Sequence, residues 1–233
     1  MSGGRPAEIL ALEMATFTFA ADEPHAGEEG VVMAYLVRHT GGLVLFDTGF
    51  GFGSQLVNDR YQPRARRLDD ALAGVGATAA QVDTVVNCHL HIDHAGQNSG
   101  MPGIAIHAQP AEWELAKGGD HTILEWVDFP RASYRLRAGD YDLSPGIRVL
   151  ATPGHTAGHQ SLAVETADGL SILAGQACYS RGEWAGDPLA REGLSRAPDK
   201  LAYARSLARL KSLRPARVYF AHDREVWTAD RLA

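Results

Sequence analysis

Cys88-His89-Leu90-His91-Ile92-Asp93-His94 decides the fold of this 233-residue chain, and it closely follows an apolar, strand-like run, Val82 to Val86. The stretch has the pattern H-x-H-x-D-H, in which four of six consecutive side chains are of types that bind metals. A zinc ion takes about four nitrogen, oxygen or sulfur ligands at roughly 2.0–2.3 Å, so its ligands leave the chain in groups that can converge. The stretch therefore predicts a metal site beside the end of a strand.

The two halves of the stretch differ in geometry. His89 and His91 lie two residues apart and point to the same side of an extended segment. Asp93 and His94 fall at a turn that Gly96 indicates. The two pairs therefore predict ligands for two metal ions, one pair to each ion.

The composition is that of an ordinary globular domain. Hydrophobic residues make up 45% of the chain and charged residues 21%, without repeats or low-complexity tracts. We expect a single domain over residues 1–233. The formal net charge of −6 argues against a nucleic-acid partner, and no uncharged apolar run reaches the ~18 residues that a membrane span requires. The sequence does not determine the oligomeric state.

The N-terminus and the cysteines bear on the cellular location. Met1 to Glu8 lack the basic and apolar regions of an export signal. The two cysteines, Cys88 and Cys178, each lie near candidate site residues, which fits free thiols in a reducing compartment better than a disulfide framework. We therefore expect a cytoplasmic protein.

Apolar runs bounded by Gly, Pro and Asp alternate with helical patterns along the chain. The runs predict strands at Val31 to Val37, Leu43 to Phe46, Val82 to Val86, Ile104 to Ile106, Ile147 to Leu150, Ser161 to Glu165, Ile172 to Ala174 and Val218 to Phe220. Apolar periodicity predicts helices at Arg67 to Ala73, Pro110 to Ala116 and Pro198 to Leu213. Strands with helices outside them predict an α/β sandwich.

Several short motifs follow predicted strands at the point where the chain turns. They are Asp47-Thr48-Gly49, the stretch from Cys88 to His94, Thr152-Pro153-Gly154-His155, Gly175-Gln176 and Ala221-His222-Asp223. Loops at one edge of a rigid sheet are where functional sites are usually built. The motifs therefore predict one assembled centre.

This combination of motifs resembles the metallo-β-lactamase superfamily over nearly the whole chain. The resemblance implies an α/β fold, a four-layer αβ/βα sandwich with a centre of one or two zinc ions. It implies ligands for a first metal at His89, His91 and His155, and ligands for a second at Asp93, His94 and His222. It further implies that Asp47 and His159 orient these ligands.

Within the superfamily, the sequence is most similar to the N-acyl-homoserine lactonases. The stretches that carry this similarity are His91 to Asn98 and Thr152 to Leu162. A tyrosine, Tyr179, also lies three residues after Gln176, the position at which the family has a ligand that bridges two metals. The resemblance implies that the Tyr179 hydroxyl lies beside the metals and contacts the lactone. It makes Tyr179 the foremost catalytic candidate that binds no metal.

Gln176 departs from the family pattern, because the bridging ligand of the family is an aspartate at this position. A carboxylate offers two anionic oxygens to two cations, whereas an amide offers one neutral carbonyl oxygen. A two-ion centre with Gln176 retains one more uncompensated positive charge, which weakens ion binding in a buried site. We expect one firmly held zinc and a second site that is weak, lost or filled by a different metal. The Cys178 thiolate is an alternative ligand; the other interpretation of Cys178 is a small buried apolar side chain.

The resemblance implies a hydrolase that opens a lactone or another ester, with hydroxide formed at the metal attacking the carbonyl. The Tyr179 hydroxyl would stabilise the oxyanion, and Asp93 would carry the proton to the leaving alkoxide. Two alternatives stay open: an enzyme of the same fold acting on another ester, a thioester or a cyclic biosynthetic intermediate, and a non-catalytic domain that binds a metal or ligand.

An acyl substituent on the substrate would need an apolar channel. Candidates for its wall, each also interpretable as ordinary core, are Phe50, Phe52, Trp126, Phe129 and Trp184. The segment from Ser180 to Ala197, rich in glycine and charge, is a candidate lid.

Overall fold

The computed structural model describes residues 6–229 with the exception of residues 24 and 120. The two ends of the predicted domain, residues 1–5 and 230–233, lie outside the described residues. The same holds for most of the N-terminal segment used to predict the cellular location.

Two β-sheets form the centre of the described chain. The first has the strand order β4-β1-β2-β3-β5-β6-β7. Its strands are β1 Glu8–Thr18, β2 Glu29–His39, β3 Gly42–Phe46, β4 Arg64–Ala65, β5 Thr84–Val86, β6 Ala105–Ala108 and β7 Ser133–Leu136. Strands β1 to β3 are antiparallel neighbours, whereas β3, β5, β6 and β7 run parallel.

The second sheet has the order β13-β12-β11-β10-β9-β8. Its strands are β8 Tyr141–Ser144, β9 Ile147–Ala151, β10 Gln160–Thr166, β11 Gly169–Leu173, β12 Arg217–Tyr219 and β13 Trp227–Thr228. The pair β11 and β12 is parallel, and the other neighbours in this sheet are antiparallel.

Helices cover the outer faces of both sheets. They are α1 Gln55–Tyr61, α2 Leu68–Gly74, α3 Pro110–Lys117, α4 Leu124–Val127, α5 Arg181–Ala185, α6 Glu192–Arg196 and α7 Lys200–Ser212. None of these described helices is long and apolar enough to cross a bilayer.

Three apolar clusters fix the layer order. One cluster joins β2 residues such as Val37 to β10 residues such as Leu162, so the sheets pack face to face. A second packs α1 and α2 on the first sheet, and a third packs α5 and α7 on the second through residues that include Leu210 and Val218. Burial of these apolar side chains is the main force that holds the layers together. The predicted four-layer αβ/βα sandwich is confirmed.

The eight predicted strands and three predicted helices are all present, with ends that shift by a few residues. Strand β1, although 11 residues long, was not predicted. Its sequence Glu-Ile-Leu-Ala-Leu-Glu-Met-Ala-Thr-Phe-Thr contains good helix formers, and it becomes a strand because it pairs along most of β2. Tertiary pairing overrides its local preference.

Hydrogen bonds between the sheets form a polar seam where the strands end. The Gln160 side chain donates to the carbonyl oxygens of Asn87 and His107, at 2.8 and 3.0 Å, and accepts from Gln109. The Gln160 backbone N–H donates to the carbonyl of Cys88 at 2.8 Å. The seam joins the loop after β5, which carries His89 and His91, to the start of β10, which follows the loop that carries His155.

Candidate metal centre and cleft

Three histidine side chains converge from two loops at the strand ends. His89 and His91 lie on the loop after β5, and His155 lies on the loop after β9. Nitrogen atoms of the three rings lie within 4.8 Å of one another, and His155 Nε2 is 3.3 Å from His91 Nδ1. The Nε2 atom of His89 is buried without a hydrogen-bond partner.

This arrangement fits a zinc ion. A buried ring nitrogen that lacks a partner carries a desolvation penalty, which a metal bond would remove. Burial, together with the neighbouring imidazoles, holds the pKa of His89 and that of His155 well below the ordinary value of 6.5. The His89 and His155 rings are therefore neutral near pH 7, and neutral imidazole is the form that binds metals.

A second group lies beside the first. Asp93 Oδ2 is 3.2 Å from His94 Nε2 and 3.6 Å from His222 Nε2. His94 Nε2 is buried and makes no hydrogen bond, so its interaction with the Asp93 carboxylate is electrostatic. His222 Nδ1 donates to the carbonyl of Val31 at 2.8 Å, which leaves Nε2 facing the group. Burial lowers the pKa of His222 to about 4.

Asp47 holds the second group in place. Its carboxylate lies 3.0 Å from His94 Nδ1 and accepts from the backbone N–H of Cys88 at 2.8 Å. Its backbone is left-handed, with φ of 68°, a conformation that aspartate adopts more readily than most residues. The position agrees with the orienting role that the resemblance implied.

Cys88 lies beside the histidines, next to the candidate site residues as its position in the sequence indicated. Its Sγ is 3.1 Å from His89 Nδ1 and 3.4 Å from His94 Nδ1. Burial raises the pKa of this thiol. The signal in the sequence was its position directly before the H-x-H-x-D-H pattern.

Gln176 lies beside both groups, on the 3₁₀ turn Gly175–Ala177 that follows β11. Its backbone N–H donates to His159 Nε2 at 2.9 Å, whereas its side-chain Oε1 is buried without a hydrogen-bond partner. The turn needs Gly175, because a Cβ there would lie 2.6 Å from Cys88 Cβ. At the position where the family pattern has a carboxylate, the cleft is thus lined by a neutral amide.

Cys178 lies away from these groups. It is packed with Trp184, Leu210 and Phe220, and burial raises the pKa of its thiol well above the ordinary value. The described ligand groups do not include it. Its surroundings support the apolar interpretation rather than a zinc thiolate.

Tyr179 lies between the Gly175–Ala177 turn and α5, and its side chain contacts the histidines. Its hydroxyl is 3.2 Å from His155 Nδ1, and its ring lies 5.2 Å from the His222 ring, centroid to centroid. The buried Glu183 carboxylate accepts from the Tyr179 backbone N–H at 2.8 Å. Burial raises the pKa of Tyr179, so the hydroxyl keeps its proton and can donate it in a hydrogen bond.

Glu112 joins the two loops that carry the three histidines. It is a buried residue of α3 whose carboxylate accepts from the Leu90 N–H at 2.9 Å and from the Thr156 hydroxyl at 2.5 Å. Gly158 allows this approach, since a Cβ there would lie 2.2 Å from the backbone nitrogen of Glu112. A glutamate on a predicted helix gave no sequence signal for this role.

A cleft of about 210 Å³ opens over the centre. Residues of both ligand groups form its floor, and four aromatic residues form a wall: Phe17, Phe19, Phe50 and Tyr61. His121, missed in the sequence, also lines the cleft and lies 5.2 Å from the His91 ring, centroid to centroid.

Of the five candidates for a channel wall, Phe50 lines the cleft and the other four do not. Phe52 and Trp126 line a separate surface pocket, while Phe129 and Trp184 are buried in apolar clusters, as the core interpretation expects. The remaining aromatic residues of the wall come from β1, from the residue that follows Thr18 and from α1. The candidate lid contains α5 and α6, and Arg196 at its end lines the cleft.

With this centre at the junction of two helix-covered sheets, the chain belongs to the metallo-beta-lactamase superfamily, whose pattern matches residues 27–222. It is 32% identical over 211 residues to an N-acyl homoserine lactonase of Bacillus cereus, covering 83% of this chain and 82% of the relative. A second lactonase, from Bacillus sp., is 33% identical over 163 residues; the match covers 64% of this chain, which spans 65% of that relative's length.

A solved structure has the same architecture. It is an N-acyl homoserine lactone hydrolase with the product N-hexanoyl-L-homoserine bound at its catalytic metal centre. The TM-score is 0.77 at 25% sequence identity, with 95% of this chain and 94% of the other covered.

Proposed function

We propose that the chain is a metal-dependent lactonase that opens N-acyl-homoserine-lactone-like substrates. The observation that carries this proposal is the convergence of His89, His91 and His155 within 4.8 Å, with the Tyr179 hydroxyl 3.2 Å from His155 at the floor of a cleft. Relatives named as N-acyl homoserine lactonases support the choice of substrate class.

We propose zinc as the metal, held by the three histidines. Neutral imidazole nitrogens suit zinc, and three protein ligands with an open fourth position are typical of catalytic zinc sites. A second site would use Asp93, His94, His222 and the Gln176 oxygen. The neutral Gln176 amide leaves that site with one negative charge fewer than an aspartate would, so we expect it to bind weakly.

The bound metal would supply Lewis acidity, which polarises a carbonyl and lowers the pKa of water towards ~7. The chain itself would supply two groups. The protonated Tyr179 hydroxyl donates to the oxygen on which charge develops, and its position is fixed by Glu183. The Asp93 carboxylate, which neighbouring His94 helps keep ionised against the effect of burial, would accept a proton from the attacking water and pass it to the departing alkoxide.

We further propose that residues 1–233 form one domain and that the protein acts in the cytoplasm. The cluster on the first sheet contains residues from Leu12 to Phe129, and the cluster between the sheets contains residues from Val31 to Tyr219, so both halves of the described chain share apolar packing, which supports the first proposal. Two buried cysteines without a disulfide support the second.

Metal content and lactone turnover, measured on the same preparations, test the function. We expect the protein to retain one tightly bound zinc after dialysis and to hydrolyse N-acyl homoserine lactones until a chelator removes it. His91→Ala should lose both properties, and His39→Ala, which changes a histidine of the β2–β3 turn, should lose neither. Zinc binding without turnover of any lactone, ester or thioester would instead identify a non-catalytic domain.

A further inference from the structure

Arg196, the last residue of α6, lines the cleft beside the aromatic wall. Its side chain is 22% exposed. The guanidinium carbon lies 5.3 Å from the Phe19 ring centroid and 5.9 Å from the Tyr179 ring centroid. The guanidinium is therefore one aromatic ring away from the histidines that Tyr179 contacts.

Glu23 fixes Arg196 in this position. The Glu23 carboxylate, 12% exposed, accepts from Arg196 Nη2 at 3.0 Å and from the Tyr61 hydroxyl at 3.0 Å. Arg60 Nη2 contacts the same carboxylate at 3.4 Å. Because three side chains hold the Glu23 carboxylate, the Glu23–Arg196 pair has a fixed geometry that an isolated surface ion pair would lack.

Most of the donor capacity of Arg196 is still available. A guanidinium has five N–H donors, and among the described residues Glu23 is the one acceptor that Arg196 binds. The guanidinium lies near two aromatic rings that line the cleft, so the N–H groups that Glu23 does not use can meet a ligand there. A planar, fixed donor in a mainly aromatic wall suits a carbonyl oxygen, since an alkyl chain would leave it unpaired.

We propose that Arg196 is a specificity-determining residue that donates hydrogen bonds to a carbonyl oxygen on the acyl arm of the substrate. The cleft then favours lactones whose arm carries an amide or a 3-oxo group over lactones with a plain alkyl chain. This inference rests on the proposed lactonase function.

Steady-state kinetics on three lactones test it: N-hexanoyl-homoserine lactone, its 3-oxo analogue and γ-decanolactone, which has an alkyl arm without a carbonyl. Arg196→Met keeps much of the stem and removes the donors. We expect kcat/KM to fall about 10-fold to 100-fold on the two N-acyl substrates, mainly through KM, and by less than about twofold on γ-decanolactone. Arg196→Lys, which keeps the charge without the fork, should fall between wild type and Arg196→Met.

Arg181→Met is the matched control. Arg181 lies in the same segment and pairs with Glu225 at 3.0 Å, but it does not line the cleft. It should leave all three substrates unchanged. Equal losses on all three substrates in Arg196→Met, or no loss on any, would overturn the inference while leaving the lactonase function intact. A wild-type protein that hydrolyses none of the three would overturn the proposed function, and the inference with it.

Discussion

Glu112→Ala tests whether one buried carboxylate holds together the two loops of the centre. The change leaves the buried Leu90 N–H without its acceptor and removes the 2.5 Å contact with Thr156. A hydrogen bond to a charged group contributes about 1.5–3 kcal/mol. For the two bonds together we expect a loss of about 3–5 kcal/mol in the free energy of unfolding. This is less than their full sum because the Thr156 hydroxyl can rotate to another acceptor. Glu112→Gln keeps one acceptor oxygen and should lose about 1–2 kcal/mol.

Urea unfolding of the chelator-treated protein, followed by tryptophan fluorescence, measures these losses. Glu114→Ala is the control, because Glu114 lies on the same helix with its side chain 69% exposed and pairs with Lys117. That substitution changes helix propensity equally and should cost less than about 0.5 kcal/mol. Zinc affinity, from chelator competition, should weaken in Glu112→Ala and stay constant in Glu114→Ala. Equal effects of the two substitutions would refute the argument.

Four further predictions concern the centre. Gln176→Asp restores a bridging carboxylate and should raise zinc content, by mass spectrometry after dialysis, from one ion towards two; a wild-type protein that already holds two firmly contradicts this. Tyr179→Phe should lower kcat on the lactone about 10²-fold with little change in zinc content, since one oxyanion donor is lost. Gly158→Ala should lower the urea midpoint by the equivalent of about 1–3 kcal/mol, because the new Cβ meets the α3 backbone at 2.2 Å; an unchanged midpoint would show that the helix can yield. Burial lowers the pKa of His159 from 6.5 to about 3, so the metal-free unfolded chain takes up a proton below pH 6.5 that the folded chain does not. The contribution of this neutral His159 to stability is complete above that pH and falls as the pH drops, so between pH 7 and 5 wild type should lose about 2 kcal/mol more than His159→Gln.

The fold and the clustering of the candidate ligands were predictable because their signals are local. Histidines spaced two residues apart after an apolar run, as in His89 and His91, are informative without tertiary context. The cleft wall was not predictable in this way. Phe17 and Phe19 reach the cleft because β1 pairs with β2, a contact between distant segments that overrides the helix formers in β1.

Glu112 and Arg196 were missed for a related reason. In the sequence Glu112 is one charged residue on a predicted helix, and Arg196 is one of several charged residues in the candidate lid; both are common settings for a solvated side chain. Their roles depend on what the fold places opposite them: the Leu90 N–H and Thr156 for Glu112, and Glu23 for Arg196. Such roles need the assembled structure.

The seam through Gln160 brings together two halves of the chain, and the centre is complete only when both halves are present. Residues up to β7 carry His89 and His91, while residues from β8 onward carry His155 and His222. Two polypeptides divided between Leu136 and Tyr141 would each carry only part of the candidate donor set, and neither could form the histidine triad alone. Recovery of cobalt absorption when two such fragments are mixed would therefore report their reassembly.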